Sequence, residues 1–85
     1  MVNVLPKNIK TKIAYLEILL ESPNGVTPRE VSEIYFDVTL HAANNALRRL
    51  KKNGDATRQL DGSEFRYWIT VHGILKYDHL KSQEE

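Results

Sequence analysis

The stretch that decides the fold is Gly25–Gly54, which reads GVTPREVSEIYFDVTLHAANNALRRLKKNG. Thr27 suits the N-cap of a helix, Pro28 suits its first position, and Glu30 completes a reciprocal capping box. These residues predict a short helix that ends around residue 35 or 36. Its inward-facing residues are expected to be Val31, Ile34 and Tyr35.

A second helix is predicted over residues 40–53, after a four-residue break. Thr39 suits its N-cap, and Gly54 suits a left-handed stop. The side spaced for burial carries Ala43, Leu47 and Leu50, with Leu40 at its edge. The opposite side carries His41, Asn44, Asn45, Arg48 and Lys52, with Arg49 at the flank. Two adjacent asparagines are poor helix formers, so their position in mid-helix favours a role for their side chains, and exposed asparagines without a function are the alternative.

A hairpin is predicted after this helix. Residues 56–60 and 65–69 have the pattern of two strands, and Asp61-Gly62-Ser63-Glu64 has the composition of the turn between them. If Leu60 lies opposite Phe65, one face carries Ala56, Arg58, Leu60, Phe65, Tyr67 and Ile69. A two-stranded hairpin alone is marginally stable, so we expect this face to pack on the helices.

Two further helices flank these elements. The first is predicted from about Asn8, a good N-cap, to about Ser22, and an arm over residues 1–7 precedes it. Its core stripe is expected to comprise Ile9, Ile13, Leu16 and Leu20. The last helix follows Thr70 and carries Val71, Ile74, Leu75 and Leu80. We expect a single domain over residues 1–85 and a frayed tail over residues 82–85.

Three residues of the first helix, Ala14, Tyr15 and Ile18, lie off this stripe, so another element must cover them. The C-terminal helix and a second subunit are the two candidates. If the C-terminal helix covers these residues, the two helices pack within one subunit. If a second subunit covers them, the predicted homodimer surface combines Tyr15 and Ile18 with the C-terminal helix around Ile74 and Tyr77.

Composition narrows the function classes. The chain has 85 residues and no cysteine, which excludes disulfides and thiolate metal sites. It has no run of about 18 apolar residues, and MVNVLPKNIK lacks the layout of a signal peptide, so we expect a soluble, cytoplasmic protein. The chain is short and has no common catalytic motif, so we expect neither an enzyme nor a cofactor. His72 and His79 share a helical face without a third ligand, so we expect no metal site.

Charge is unevenly distributed, although the net charge is only +1. Residues 38–58 contain five bases and one acid, and residues 1–12 add three lysines. Residues 13–37 carry five acids and one base. Basic residues are therefore concentrated on the third predicted helix and the first strand, as phosphate binding requires. An ordinary solvated helix face is the alternative interpretation.

The order helix, capped helix, basic helix, hairpin and helix resembles the winged helix-turn-helix family of small transcription regulators, over about residues 9–80. The similar segments are Val26–Val31, which opens the second helix, and Ala46–Gly54, which closes the third. Tyr67–Thr70 followed by Gly73 is similar to the end of the wing in MarR- and PadR-type domains. The resemblance implies a mostly helical α+β fold, a wing over about residues 56–69, and a prokaryotic transcriptional regulator that binds double-stranded DNA.

By the same resemblance, the third helix enters the major groove of DNA. Asparagine can bond bidentately to adenine and arginine to guanine. Arg49, Lys51 and Lys52 are better placed for phosphates, which position the protein without reading sequence. The DNA-binding residues that the resemblance implies are His41, Ala42, Asn44, Asn45, Arg48, Arg49, Lys52, Arg58 and Arg66.

The two wing arginines leave alternatives open. Arg58 and Arg66 flank the turn, and the expectation is contact with phosphate or with an adjacent minor groove. For Arg58, the alternative is an ion pair with Glu64 or Asp61. For the whole protein, the alternative is a winged helix that binds another protein, through the third helix or the wing, and does not bind DNA.

Overall fold

The computed structural model describes residues 9–35 and 38–84, with side chains over residues 12–35 and 38–83. The elements are α1 (Ile9–Leu20), α2 (Pro28–Ile34), α3 (Leu40–Lys52), β1 (Ala56–Asp61), β2 (Glu64–Ile69) and α4 (Val71–Glu84). This part of the chain is a small, mostly helical α+β unit with the predicted order of elements. The predicted arm 1–7, the Asn8 cap, the side chain of Ile9 and the last tail residue, Glu85, lie outside the described residues.

The core stripe of α1 differs in part from the prediction. Ile13 and Leu16 are buried as predicted, but Leu20 is exposed. Leu19, one position earlier, is buried instead. Because α4, β2 and α3 all contact α1, its buried arc is wider than a single stripe and includes Leu19, whereas Leu20 lies outside this arc.

The packing of α4 on α1 corrects the predicted homodimer surface. Tyr15 and Ile18 are only 3% and 8% exposed within a single chain, so they are not free to meet a second subunit. Tyr77 of α4 donates a hydrogen bond of 2.7 Å from its hydroxyl to the Glu17 carboxylate of α1. The two helices therefore pack within one subunit, and the dimer surface through Tyr15 and Ile18 is wrong.

The N-terminus of α2 has the predicted capping box. The Glu30 N–H donates to the Thr27 hydroxyl at 3.2 Å, and the Thr27 N–H donates to the Glu30 carboxylate at 3.0 Å. Val31 is fully buried, whereas Ile34, which was predicted to face inward, is half-exposed. This seven-residue helix packs on α3 along one side, and Ile34 lies beyond the covered part.

Helix α3 has the predicted N-cap and the predicted buried side. The Ala42 N–H donates to the hydroxyl of the N-cap residue Thr39 at 3.0 Å. The buried residues of α3 are Ala43, Leu47 and Leu50. Leu40, the first residue of the helix, is 43% exposed.

The end of α3 is a Schellman motif. The N–H of Gly54, whose φ is 82°, donates to the Lys51 carbonyl at 3.1 Å. The N–H of Asp55 donates to the Leu50 carbonyl at 2.9 Å. The left-handed Gly54 therefore stops the helix and turns the chain into β1.

Thr70 ties the two ends of the hairpin together. Its N–H donates to the Asp55 carbonyl at 3.1 Å, and its hydroxyl donates to the Gly54 carbonyl at 2.7 Å. The same hydroxyl accepts the Gly73 N–H and caps α4. A Cβ on Gly73 would collide with the Asp55 carbonyl oxygen, so glycine is required for this close approach of α4. Helix α4 continues to Glu84, and fraying of residues 82–85 stays a prediction.

The hairpin has the predicted register, with Leu60 opposite Phe65. Its base is in the core, since Ala56 and Tyr67 are buried. Its tip is not, because Leu60 is 64% and Phe65 is 39% exposed. The expectation that the apolar face packs on the helices is therefore correct for the base and wrong for the tip.

A third extended segment pairs with the hairpin and was not predicted. Val26 and Tyr67 exchange both backbone hydrogen bonds, at 3.0 and 2.8 Å. A single bridging residue has no periodicity, so the sequence gives no signal for it. The bridge places β2 beside the start of α2.

Candidate nucleic-acid interface

A concave, basic surface lies between the C-terminal half of α3 and β1. Its volume is about 570 Å³. We call it the basic concavity, and it is lined by Asn45, Arg48, Arg49, Lys51, Lys52, Asn53 and Arg58. Five of these seven residues are basic and none is acidic, so the surface attracts anions.

The charges of the basic concavity are not neutralised within the described part of the chain. The ion pairs there use Arg29, Arg66, His72 and Lys76 as their basic partners. Arg48, Arg49, Lys51 and Lys52 are exposed and form none of them. Four predicted DNA-binding residues, Asn45, Arg48, Arg49 and Lys52, thus lie together on one surface with Lys51.

Arg58 joins this surface from β1. It donates to the Tyr67 hydroxyl at 3.2 Å, and its guanidinium carbon lies 4.0 Å from the centre of the Phe65 ring. Contacts of this kind orient a guanidinium and leave its charge in place. The predicted alternative, in which Arg58 pairs with Glu64 or Asp61, is wrong, because those acids pair with Arg29 and Arg66 instead.

Arg66 lies on the opposite face of the hairpin, and acids surround it. It donates to both oxygens of the Glu30 carboxylate, at 3.1 and 3.2 Å, and to Asp61 at 2.9 Å. It also donates to the Gly25 carbonyl at 3.1 Å. The hydrogen bonds to Asp61 and then to Glu30 raise the pKa of this guanidinium. The structure therefore separates Arg66 from the other predicted site residues.

The N-terminal half of the exposed side of α3 carries His41, Ala42, Asn44 and Asn45. The Asn45 amide nitrogen lies 3.1 Å from Nε2 of His41, one helical turn away. When Nε2 carries no proton, it accepts one amide hydrogen of Asn45. The second amide hydrogen and the amide oxygen then stay available for an outside partner, which preserves the bidentate chemistry that adenine requires.

A second concave surface lies between the N-terminal ends of α2 and α3 and the hairpin turn. Its volume is about 690 Å³. We call it the hairpin groove, and it is lined by Pro28, Arg29, Leu40, His41, Asn44, Ser63, Glu64 and Phe65. Its one acid, Glu64, forms an ion pair with Arg29 at 3.6 Å. The predicted set included His41 and Asn44 but missed Leu40 and Phe65, because apolar residues at these positions are typical of a core.

Asp55 is a fully buried acid that follows the end of α3. Neither carboxylate oxygen has a hydrogen-bond donor among the described residues. Two basic side chains of α4 lie within 4.0 Å of it, His72 at 3.4 Å and Lys76 at 3.9 Å. Asp55 therefore contacts α4 and is not among the residues that line the basic concavity.

The described residues contain neither a metal-binding cluster nor a membrane-spanning helix. No group of three histidine, cysteine or acidic side chains converges within residues 12–35 and 38–83 in a way that could hold a metal ion. Across the part of the chain that the structure describes, each helix is too short or too polar for a membrane span.

No protein-family model, curated protein or solved structure matches this chain.

Proposed function

We propose that this chain is a winged helix-turn-helix domain that binds double-stranded DNA and acts as a small transcriptional regulator of prokaryotic type. In this proposal, α2 and α3 form the helix-turn-helix, α3 is the recognition helix, and β1–β2 is the wing. The order of the elements supports the fold assignment. The observation that carries the function is the basic concavity, in which five bases meet without an acid beside the exposed polar side of α3.

The proposal divides the residues of this surface by chemistry. Arg49, Lys51, Lys52 and Arg58 contact phosphates, since their charges are free and they flank the helix. The base-reading residues are Asn44, Asn45 and Arg48, with His41 as the partner that orients Asn45. Ala42 is small and exposed, so it permits close approach of the helix to the bases. No catalytic step, cofactor or metal has a part in the proposed function.

Arg66 has a different role in the proposal. Its donors are used by Glu30, Asp61 and the Gly25 carbonyl. We therefore replace the predicted DNA contact with a structural role, in which Arg66 holds the wing against the start of α2.

The test is fluorescence anisotropy of labelled random-sequence duplex DNA titrated with the protein at two salt concentrations. Four phosphate contacts give a slope of log affinity against log salt of about −3.6, so affinity falls by roughly 150-fold between 50 and 200 mM salt. A near-zero slope, or no binding at tens of micromolar protein in low salt, contradicts the proposal.

Matched variants assign the binding to α3. Arg48→Ala and Arg49→Ala should each weaken DNA binding without changing the circular dichroism spectrum or the urea midpoint. Lys81→Ala, which removes one positive charge from α4, should leave DNA binding unchanged. If the two α3 variants bind DNA as tightly as the parent, the recognition-helix assignment is wrong.

A second candidate function is a protein-interaction module. The observation in its favour is the exposed apolar tip of the wing, where Leu60 and Phe65 lie opposite each other and Phe65 shares the hairpin groove with Leu40. Exposed apolar residues that form a patch mark interaction sites more often than scattered ones do. Absence of DNA binding in the anisotropy experiment would make this function the leading one.

A further inference from the structure

We infer, on the basis of the proposed function, that the hairpin groove reads an A·T base pair by enclosing the C5-methyl group of thymine between Leu40 and Phe65. The proposal names a class of DNA sequence, since it requires a thymine methyl at the N-terminal end of the recognition helix. It also gives a binding role to two apolar residues that contribute little to the core.

The position of the groove is the first argument. Leu40 is the first residue of α3, and N-terminal residues of a recognition helix contact base edges in the major groove. Phe65 approaches the same groove from the wing. The two side chains are 43% and 39% exposed, so each has apolar surface available for a ligand. A volume of about 690 Å³ is ample for the edge of a base pair.

The neighbouring polar residue is the second argument. Asn44 lines the same groove as Leu40 and Phe65. An A·T pair presents, across its major-groove edge, the adenine N7 and N6 atoms, then the thymine O4 atom and methyl group. An asparagine side chain matches the adenine part of this edge, and apolar side chains match the thymine methyl. The groove therefore has the two kinds of contact that one A·T pair offers.

The charge of the groove is the third argument. Its one acid, Glu64, is paired with Arg29 at 3.6 Å, so no free carboxylate of the groove faces an approaching phosphate backbone. The groove also shares α3 with the basic concavity, which contains Asn45 and Arg48 one turn further along. A duplex held by the basic concavity is thus also positioned to present base edges to the groove.

The experiment compares two DNA pools that differ only in thymine methyl groups. A random-sequence duplex pool is first enriched for binding to the protein. It is then amplified in parallel with thymidine or with deoxyuridine triphosphate, and both pools are titrated by anisotropy. Burial of one methyl group contributes about 0.8 kcal/mol, so the thymine pool should bind about fourfold more tightly for each methyl group enclosed.

Variants test which residues enclose the methyl group. The measured quantity is the affinity for the thymine pool divided by the affinity for the uracil pool. Leu40→Ala and Phe65→Ala should bring the ratio close to one. Leu60→Ala, the exposed apolar neighbour outside the groove, should leave the ratio unchanged. Arg48→Ala should weaken binding to both pools equally. A partly unfolded variant lowers both affinities together, so loss of folding does not imitate the expected result.

The outcomes separate this inference from the proposed function. Salt-dependent binding with equal affinity for the two pools overturns the inference and leaves the proposed function intact. A thymine preference that persists in both Leu40→Ala and Phe65→Ala also overturns it. Absence of binding to either pool overturns the proposed function and the inference together.

Discussion

The two faces of the hairpin each carry one arginine, and the two arginines have opposite surroundings. Arg66 is bonded to Glu30 and Asp61, and its side chain is 24% exposed. Arg58 contacts a hydroxyl and an aromatic ring and lies on a surface without acids. The same residue type therefore holds the fold together on one face and supplies an available positive charge on the other.

This difference shows that the nearby acids, and not the residue type, determine what a basic side chain does. An arginine bonded to carboxylates has used the donors with which it would bind a phosphate. Substitutions around the two arginines test this division, and the largest effect is expected in the core.

Tyr67→Ala should have the largest effect, because Tyr67 is fully buried at the base of the Arg58 face. Removal of a large buried aromatic side chain destabilises a protein by about 3–5 kcal/mol. Urea unfolding followed by circular dichroism measures the change. Leu60→Ala is the control on the same face. Leu60 is exposed, so its removal should change stability by less than about 0.5 kcal/mol. Equal losses in the two variants would show that the base and the tip of this face do not differ.

Thr27→Ala should destabilise the protein by about 1–2 kcal/mol, because it removes the N-cap of α2. This cap includes Glu30, which also accepts the hydrogen bonds of Arg66. Thr27→Ser retains the hydroxyl and should keep most of the stability in the same urea measurement. Thr39→Ala removes an exposed cap and should have a smaller effect. If Thr27→Ser loses as much stability as Thr27→Ala, the hydroxyl is not the cause.

Arg58→Gln and Arg66→Gln compare the two faces directly. Arg58→Gln should weaken DNA binding by roughly tenfold at 50 mM salt and reduce the salt slope by about one, with no change in the urea midpoint. Arg66→Gln should lower the urea midpoint and leave the salt slope unchanged, because its contacts are within the chain. If the two variants show the opposite pattern, the assignment of the faces is reversed.

Substitution of Tyr77 should have the smallest effect on the protein. Tyr77 extends the comparison to a neutral side chain that lies beside an acid. The hydrogen bond to Glu17 raises the pKa of Tyr77 from 10.0 to about 12. A raised pKa in the folded state means that the associated stability is complete below about pH 10 and is lost as the pH rises through about 12.

The measurement for Tyr77 is the ultraviolet absorbance of tyrosinate as a function of pH. We expect Tyr77→Phe to remove a step near pH 12 that the parent shows. Tyr35→Phe is the control and should retain this step. If Tyr35→Phe also lacks the step, the contact between α1 and α4 is not the source of the step.

Local signals predicted much of the fold. The capping box at Thr27, the Thr39 cap, the Gly54 stop and the Leu60–Phe65 register depend on residues close together in the chain, and all are confirmed. They could be predicted because cap and turn chemistry is determined within a few residues.

Contacts between distant segments were the source of the errors. Leu20, Ile34 and the Tyr15 surface were misplaced because exposure depends on what packs against each side of a helix. Arg66 and Glu30 are 36 positions apart, so no spacing rule connects them. For the candidate site, the basic residues could be predicted from charge clustering, but the hairpin groove could not, because it forms only when the hairpin folds back beside α3.

Glu30 takes part in two contacts, one with a residue close to it in the chain and one with a distant residue. Its carboxylate closes the α2 cap with Thr27 and also accepts the hydrogen bonds of Arg66. In folding terms, the Glu30 carboxylate joins the first turn of α2 to the docked hairpin, so we expect the two to open as one cooperative unit. The backbone amide hydrogen of Thr27 should consequently exchange with solvent deuterium at a rate set by opening of the hairpin, which makes one amide in α2 a reporter for a strand 40 residues away.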